Sequence, residues 1–182
     1  MAALAAPLLE ALLDTMPVAR LALAGADDRP EALPIVFARV GATLYSPIDG
    51  KPKKHGRPAR LAHLERRPEV GLTLDHYADD WQQLWWLKLD VRASIVVDDA
   101  PGWDAAVAAL RSKYPQYRST PLFSGTPTLV VMPWTRVRWW AAAGEAGLAG
   151  WLAAHARGGS DTCGYAEGQT PVDKPAGSDT CG

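Results

Sequence analysis

The chain has 182 residues, 48% apolar and 21% charged, enough for one compact domain with its own core and too apolar for disorder throughout. Nineteen Lys and Arg against twenty Asp and Glu leave a net charge of -1, which excludes a whole-surface basic field for nucleic acid and makes any basic site local. Two cysteines cannot build a disulfide framework, and no run approaches the ~20 apolar residues of a membrane helix, so the expected compartment is the cytoplasm.

Leu4, Leu8, Leu9, Leu12 and Leu13 recur at helical spacing and predict an amphipathic helix over 2–15. With no basic start and with Glu10 and Asp14 inside its apolar run, it does not read as a signal peptide. Pro17 ends it. Strands are expected at 18–25, 31–40 and 42–48, separated by the turn cluster ADDRP and by Gly41. Leu33, Ile35, Phe37 and Arg39 would share one face of the second. DGKPKKHGRP (49–58) is a loop that opens into a helix over 59–67, with Leu61 and Leu64 as its stripe and Pro68 as its stop. Residues 69–77 alternate, with Val70, Leu72, Leu74 and His76 on one face. Residues 84–98 form the longest strand signal, placing Leu87, Leu89, Val91, Ala93, Ile95 and Val97 on one side. Asp99 and Pro101 look like the start of a helix that ends near Tyr114–Pro115. Two further strands, 128–133 and 135–141, complete a sheet of six or seven mostly antiparallel strands. Closure into a barrel suits this order because it removes exposed edges.

After Gly144 the character changes. GEAGLAGWLAAHAR (144–157) predicts a terminal helix, and 158–182 reads as a flexible tail in which GSDTCG occurs twice, at 159–164 and 177–182, carrying Cys163 and Cys181. The domain is therefore expected at 1–143, with the helix and tail appended. The repeat is open to three readings: a peptide that a partner enzyme modifies, a thiolate metal ligand, or an inert tail.

Two constellations could carry chemistry. Lys51, Lys53 and Lys54, with His55, Arg57 and Arg60 close behind, sit in a Gly/Pro loop before a helix, a setting that can offer cations and backbone N–H groups to a phosphate or carboxylate. The plain alternative is a solvated basic loop. Asp75, His76, Tyr77, Trp81, Trp85 and Trp86 could wall a planar ring, or could be core and contact residues. Trp85 and Trp86 must point to opposite faces of their strand. The four histidines, at 55, 63, 76 and 155, make no local ligand spacing, so no metal site is expected in the barrel. No nucleophile elbow is present and no cysteine lies in the expected barrel, which leaves a bound cofactor as the source of any chemistry.

The segments LYSPIDGKPKK (44–54), RLAHLERRPEVGLTLDHYADDW (60–81), LWWLKLDVRASIV (84–96) and LRSKYPQY (110–117) together resemble the pyridoxamine-phosphate-oxidase-like split-barrel superfamily, and more closely its branch of oxidoreductases using the deazaflavin coenzyme F-420. The resemblance covers roughly residues 16–141. It implies an α+β split-barrel homodimer with two cofactor sites at the subunit interface. It further implies that Lys51, Lys53 and Lys54 hold the cofactor's phosphate, helped by Ser46 and Arg60, and that the ring lies near Pro34, Ile35, Val36 and Pro47. His76, Trp81 and Trp85 would approach the ring from the partner chain. Relatives bind FMN, the deazaflavin or haem, so FMN and haem stand as alternatives to F-420.

The resulting expectation is hydride transfer from reduced F-420 to an electron-poor small molecule. Two alternatives remain: a flavin or haem binder without turnover, and a docking or carrier barrel that serves a modifying enzyme acting on the tail. Neither nucleic acid nor membrane is expected as a partner.

Overall fold

The computed structural model describes residues 3–48, 58–98, 100–123 and 125–155. Among the described residues are eight strands and four α-helices. Helix α1 (Ala6–Thr15) opens with a proline in its first turn, where a missing N–H costs nothing, and buries Leu9, Leu12 and Leu13. Strands β1 (Ala19–Ala24) and β2 (Pro30–Ile35) form a hairpin with Ala19 opposite Ile35. Its turn carries Asp28 at φ 63°, and Arg67 donates to the Asp28 carboxylate at 2.8 Å, tying the turn to helix α2 (Ala59–Arg66).

The expected strand over 31–40 is two strands. At Val36–Phe37 the chain leaves one sheet for another, and β3 (Ala38–Val40) pairs with β4 (Thr43–Pro47) around Gly41, whose φ of 57° suits glycine. The crossing is pinned by one side chain. The Tyr114 hydroxyl accepts from Phe37 N–H at 2.9 Å and lies 2.7 Å from the Phe37 carbonyl and 2.9 Å from the Pro17 carbonyl.

The expected strand over 84–98 also divides. β5 (Glu69–His76) pairs with β1 on one side and β6 (Trp85–Arg92) on the other. Ala93 interrupts, its N–H bonded to the Pro68 carbonyl at 2.8 Å, and β7 (Ser94–Val97) joins the second sheet. The change of sheet resets the facing of the side chains. Val96 packs on a second core, and Val97, expected inward, is exposed. Helix α3 (Trp103–Lys113) starts later than Asp99–Pro101 because Gly102 takes a left-handed φ of 82° just before it.

The two final strands expected at 128–133 and 135–141 are one, β8 (Thr128–Ala141). Its first half lies between β4 and β7, and its second half pairs with β6. The handover falls at Pro133, at the end of the β4 ladder, and at Thr135, which is extra in the β6 register where Asp90 faces Arg136 and Val91 faces Trp134. One sheet thus runs β2-β1-β5-β6-β8 and the other β3-β4-β8-β7, joined through β8 as the split barrel expected from the sequence.

The main core lies under the first sheet and gathers Leu12, Leu21, Phe37, Leu44, Leu64, Leu72, Leu87 and Leu89. Helix α4 (Gly144–His155) belongs to it through Leu148 and Leu152, so the terminal helix is part of the domain's packing rather than an appendage. A second core joins α3 to β3 and β8 through Ala38, Trp103, Leu110, Tyr114 and Leu129. Among the described residues, no helix is long and apolar enough to cross a membrane.

Candidate functional site

Alternation along β1, β2 and β5 decides what each face of the first sheet offers. Ala19, Leu21, Ile35, Leu72 and Leu74 point to the core; Arg20, Pro34 and Asp75 point away from it. On that outer side Arg20 pairs in register with Pro34, and its Nη1 donates to Asp75 Oδ1 at 2.6 Å. Met16, Pro17 and Val18 rise beside them as the chain leaves α1. Together with Ala32 and Leu33 they enclose a concavity of about 630 Å³ with one apolar wall and one ion pair. This volume is in the range of small-molecule sites. Both charges of the pair are substantially exposed, so its contribution to folding is small and its effect is to orient the guanidinium.

His76, one residue on, points to the opposite face. It stacks with Trp85 at 6.4 Å between ring centroids and meets Trp151 at 5.6 Å and His155 at 5.8 Å, both on α4. Burial, and then the neighbouring His155, lower the His76 pKa, against a smaller upward pull from Asp75. His76 is therefore neutral near pH 7. The His155 Nδ1 lies 2.8 Å from the Trp151 carbonyl, and the two rings stack at 4.0 Å. The indole N–H groups of Trp85 and Trp151 are buried without a hydrogen-bond partner among the described residues.

Those of the nominated residues that are described do not come together at one place within a single chain. Pro34 is exposed and lines the concavity, whereas Ile35 is a core residue and Val36 packs on the second core. Ser46 and Pro47 are buried on β4, in the other sheet. Arg60 is half-buried in the first turn of α2. Trp81, at 69% exposed, has the surface position that a wall for a partner's ligand requires, as does Tyr77. Trp85 does not: it is 2% exposed and packs on its own chain's α4. Its neighbour Trp86 faces outward beneath Lys88, whose Nζ lies 4.8 Å from the indole centroid. Lys51, Lys53, Lys54, Cys163 and Cys181 lie outside the described residues. Among the described residues, no group of three or more His, Cys, Asp or Glu is placed to share a metal ion.

Two features escaped sequence reasoning. Arg20 sits inside an apolar run, and only its alternation out of phase with Ala19 and Leu21 marks it as outward-facing. The meeting of His76 with His155 is a tertiary contact across 79 positions (155 less 76), which no search for local ligand spacing finds.

No family model and no curated protein matches this chain. Solved structures do match. A conserved hypothetical protein of Mycobacterium tuberculosis superimposes with a TM-score of 0.61 at 15% identity, over 80% of this chain and 89% of that one. HutZ, the haem storage protein of Vibrio cholerae, gives 0.56 at 18%, over 73% and 92%. A FAD-binding protein of Mesorhizobium loti gives 0.54 at 19%, over 75% and 92%. Likeness at this level of identity concerns architecture, and the chain accordingly has the α+β split-barrel fold found in flavin-binding, haem-binding and pyridoxamine-oxidase-like proteins.

Proposed function

We propose that this protein binds a flavin-type redox cofactor, with the deazaflavin F-420 first and FMN second, and transfers hydride to an electron-poor small molecule. The observation that carries the proposal is the concavity beside β2: about 630 Å³, apolar along Ala32 and Pro34, with the Arg20–Asp75 pair at its rim. An apolar wall suits one face of a planar heterocycle, and an oriented guanidinium beside a carboxylate suits its polar edge. The residues present therefore fit such a group. Ala32 and Pro34 would support the ring, Arg20 would donate to a ring carbonyl and Asp75 would accept from a ring N–H. Lys51, Lys53 and Lys54 would hold the phosphate-bearing tail, helped by Ser46 on β4 and Arg60 on α2.

When bound, the cofactor supplies the hydride chemistry. This chain contributes orientation, a wall that keeps water from one ring face, and cations for the anionic tail. Trp81 and Tyr77, both exposed on the β5–β6 connection, would cover the site of a second copy, which makes a homodimer part of the proposal. A second reading, haem held without turnover, is favoured by the His76–His155 pair, since imidazole nitrogens are competent iron ligands.

Titrating the purified protein with F-420, FMN and haem, followed by absorbance and tryptophan fluorescence, separates these readings. F-420 or FMN should bind, and Arg20→Ala should weaken that binding. Haem binding that His76→Ala abolishes, with no flavin binding, would replace the first reading by the second. Sedimentation of a monomer at micromolar concentration would remove the shared-site geometry.

A further inference from the structure

Away from this concavity, α1, β3 and α3 meet around a second cavity of about 290 Å³, lined by Asp14, Ala38, Arg39, Ala109, Ser112 and Lys113. Lys113 lies at the end of α3. Its Nζ donates to the Leu13 carbonyl at 2.7 Å and stands 3.8 Å from the centroid of the Phe37 ring. No carboxylate within ion-pair distance of Lys113 is found among the described residues. Arg39 is held differently. Its Nε and Nη2 donate to the two Asp14 oxygens at 3.1 and 2.7 Å, Glu10 lies 3.5 Å from Nη2, and Nη1 donates to the Gly41 carbonyl at 3.2 Å. A guanidinium has five N–H groups, so one on Nη1 remains for a further acceptor.

The charged groups facing Lys113 are thus Asp14 from α1 and Arg39 from β3, with Glu10 on the far side of Arg39 and the Tyr114 ring 5.7 Å from Nζ. Burial dominates and lowers the Lys113 pKa to about 7, with Asp14 pulling it up and Arg39 pushing it further down. Near neutrality a large share of these amines carries a lone pair, unlike a lysine in water.

We propose that Lys113 is an imine-forming amine, and that the cavity it lines takes a small 2-oxo acid with its carbonyl carbon at Nζ and its carboxylate toward Arg39. The neutral amine attacks the carbonyl carbon, a C–N bond forms, and the carbonyl oxygen leaves as water. The two hydrogens of the neutral amine depart in that water. The proton that the ammonium form gave to solvent returns to the imine nitrogen, where the Leu13 carbonyl accepts it. No electrons are exchanged. The competing role for Lys113 is a permanent cation that caps the carbonyl end of α1; it calls for charge and gives no selectivity among carbonyl compounds.

The test uses the intact wild-type protein, incubated at pH 7 with pyruvate and cyanoborohydride and mapped by peptide mass. Lys113 should carry the reduced adduct at about tenfold or more above Lys51, Lys53, Lys54, Lys88 and Lys174. Acetone, which lacks the carboxylate, should label Lys113 roughly tenfold less. The labelling rate should reach half its maximum near pH 7, and Lys113→Arg should lose the adduct. Adduct spread evenly over the lysines, an unlabelled Lys113, or equal labelling by acetone and pyruvate would each overturn the proposal.

Discussion

Tyr114→Phe removes one oxygen atom and leaves the ring, so it isolates what the hydroxyl does at the point where the chain passes between sheets. The hydroxyl has one proton and so donates to one carbonyl at a time, Phe37 at 2.7 Å or Pro17 at 2.9 Å, while accepting from Phe37 N–H at 2.9 Å. Two hydrogen bonds are therefore lost, at about 1 kcal/mol net each. Phe37 is fully buried, so its N–H is left without a partner and without water, which adds roughly 1–2 kcal/mol. The sum is a destabilisation of about 3–4 kcal/mol. With a urea m-value near ~2 kcal/mol/M for a domain of this size, the unfolding midpoint should fall by roughly 1.5–2 M with m unchanged. Because the same crossing sets where Pro34 emerges, the variant should also bind the cofactor more weakly. A midpoint shift under about 0.3 M would show that water replaces the hydroxyl, and that the pin is not what holds the crossing.

Lys51, Lys53 and Lys54 replaced together by alanine should weaken binding of F-420 or FMN in calorimetry while moving the unfolding midpoint little, because exposed charges contribute little to folding. Added salt should mimic the effect on wild-type binding. Truncation after Arg157 should leave fold and cofactor binding intact by circular dichroism and titration, whereas Leu152→Ala, which hollows the core under α4, should cost about 2–4 kcal/mol. Two side chains should shape stability at alkaline pH in opposite directions. The folded pKa of Lys113 is lowered to about 7, so the unfolded chain binds the extra proton and stability rises from pH 7 toward 10. The folded pKa of Tyr114 is raised to about 12, so its contribution is complete below pH 10 and fades as pH climbs toward 12. Urea titrations of Lys113→Met and Tyr114→Phe across that range should each lose one of the two trends.

The fold was legible wherever periodicity alone decides. The alternation Val70, Leu72, Leu74 and the opposition of Trp85 to Trp86 both survive in the structure. What periodicity cannot carry is a change of partner within a run of unbroken alternation. Residues 31–40 keep their period through Val36–Phe37, yet the pairing passes from β1 to β4, and the cause is a tyrosine hydroxyl 77 positions away. In the same way Pro133 reads as a break, although β8 passes through it because the ladder on one side is ending there. The nominated site suffered from the reverse problem. Pro34 and Ile35 are adjacent in sequence, and a strand must send them to opposite faces. The basic loop stood out on composition, while Arg20 did not, since a single charge in an apolar run carries no pattern.

Strand β8 also bears on how the molecule comes to be folded. Both sheets close through it, and its partners lie far back in the chain: Leu44 waits for Met132, and Trp86 for Trp140. Neither half-barrel has its last strand until residues 128–141 have been synthesised, so closure is a late event of high contact order and intrinsically slow. Until then β4 and β6 each expose an edge rich in apolar side chains. Such edges invite pairing between nascent copies. The interval between the emergence of β6 and that of β8 is therefore the period when this chain depends most on being kept apart from its own kind.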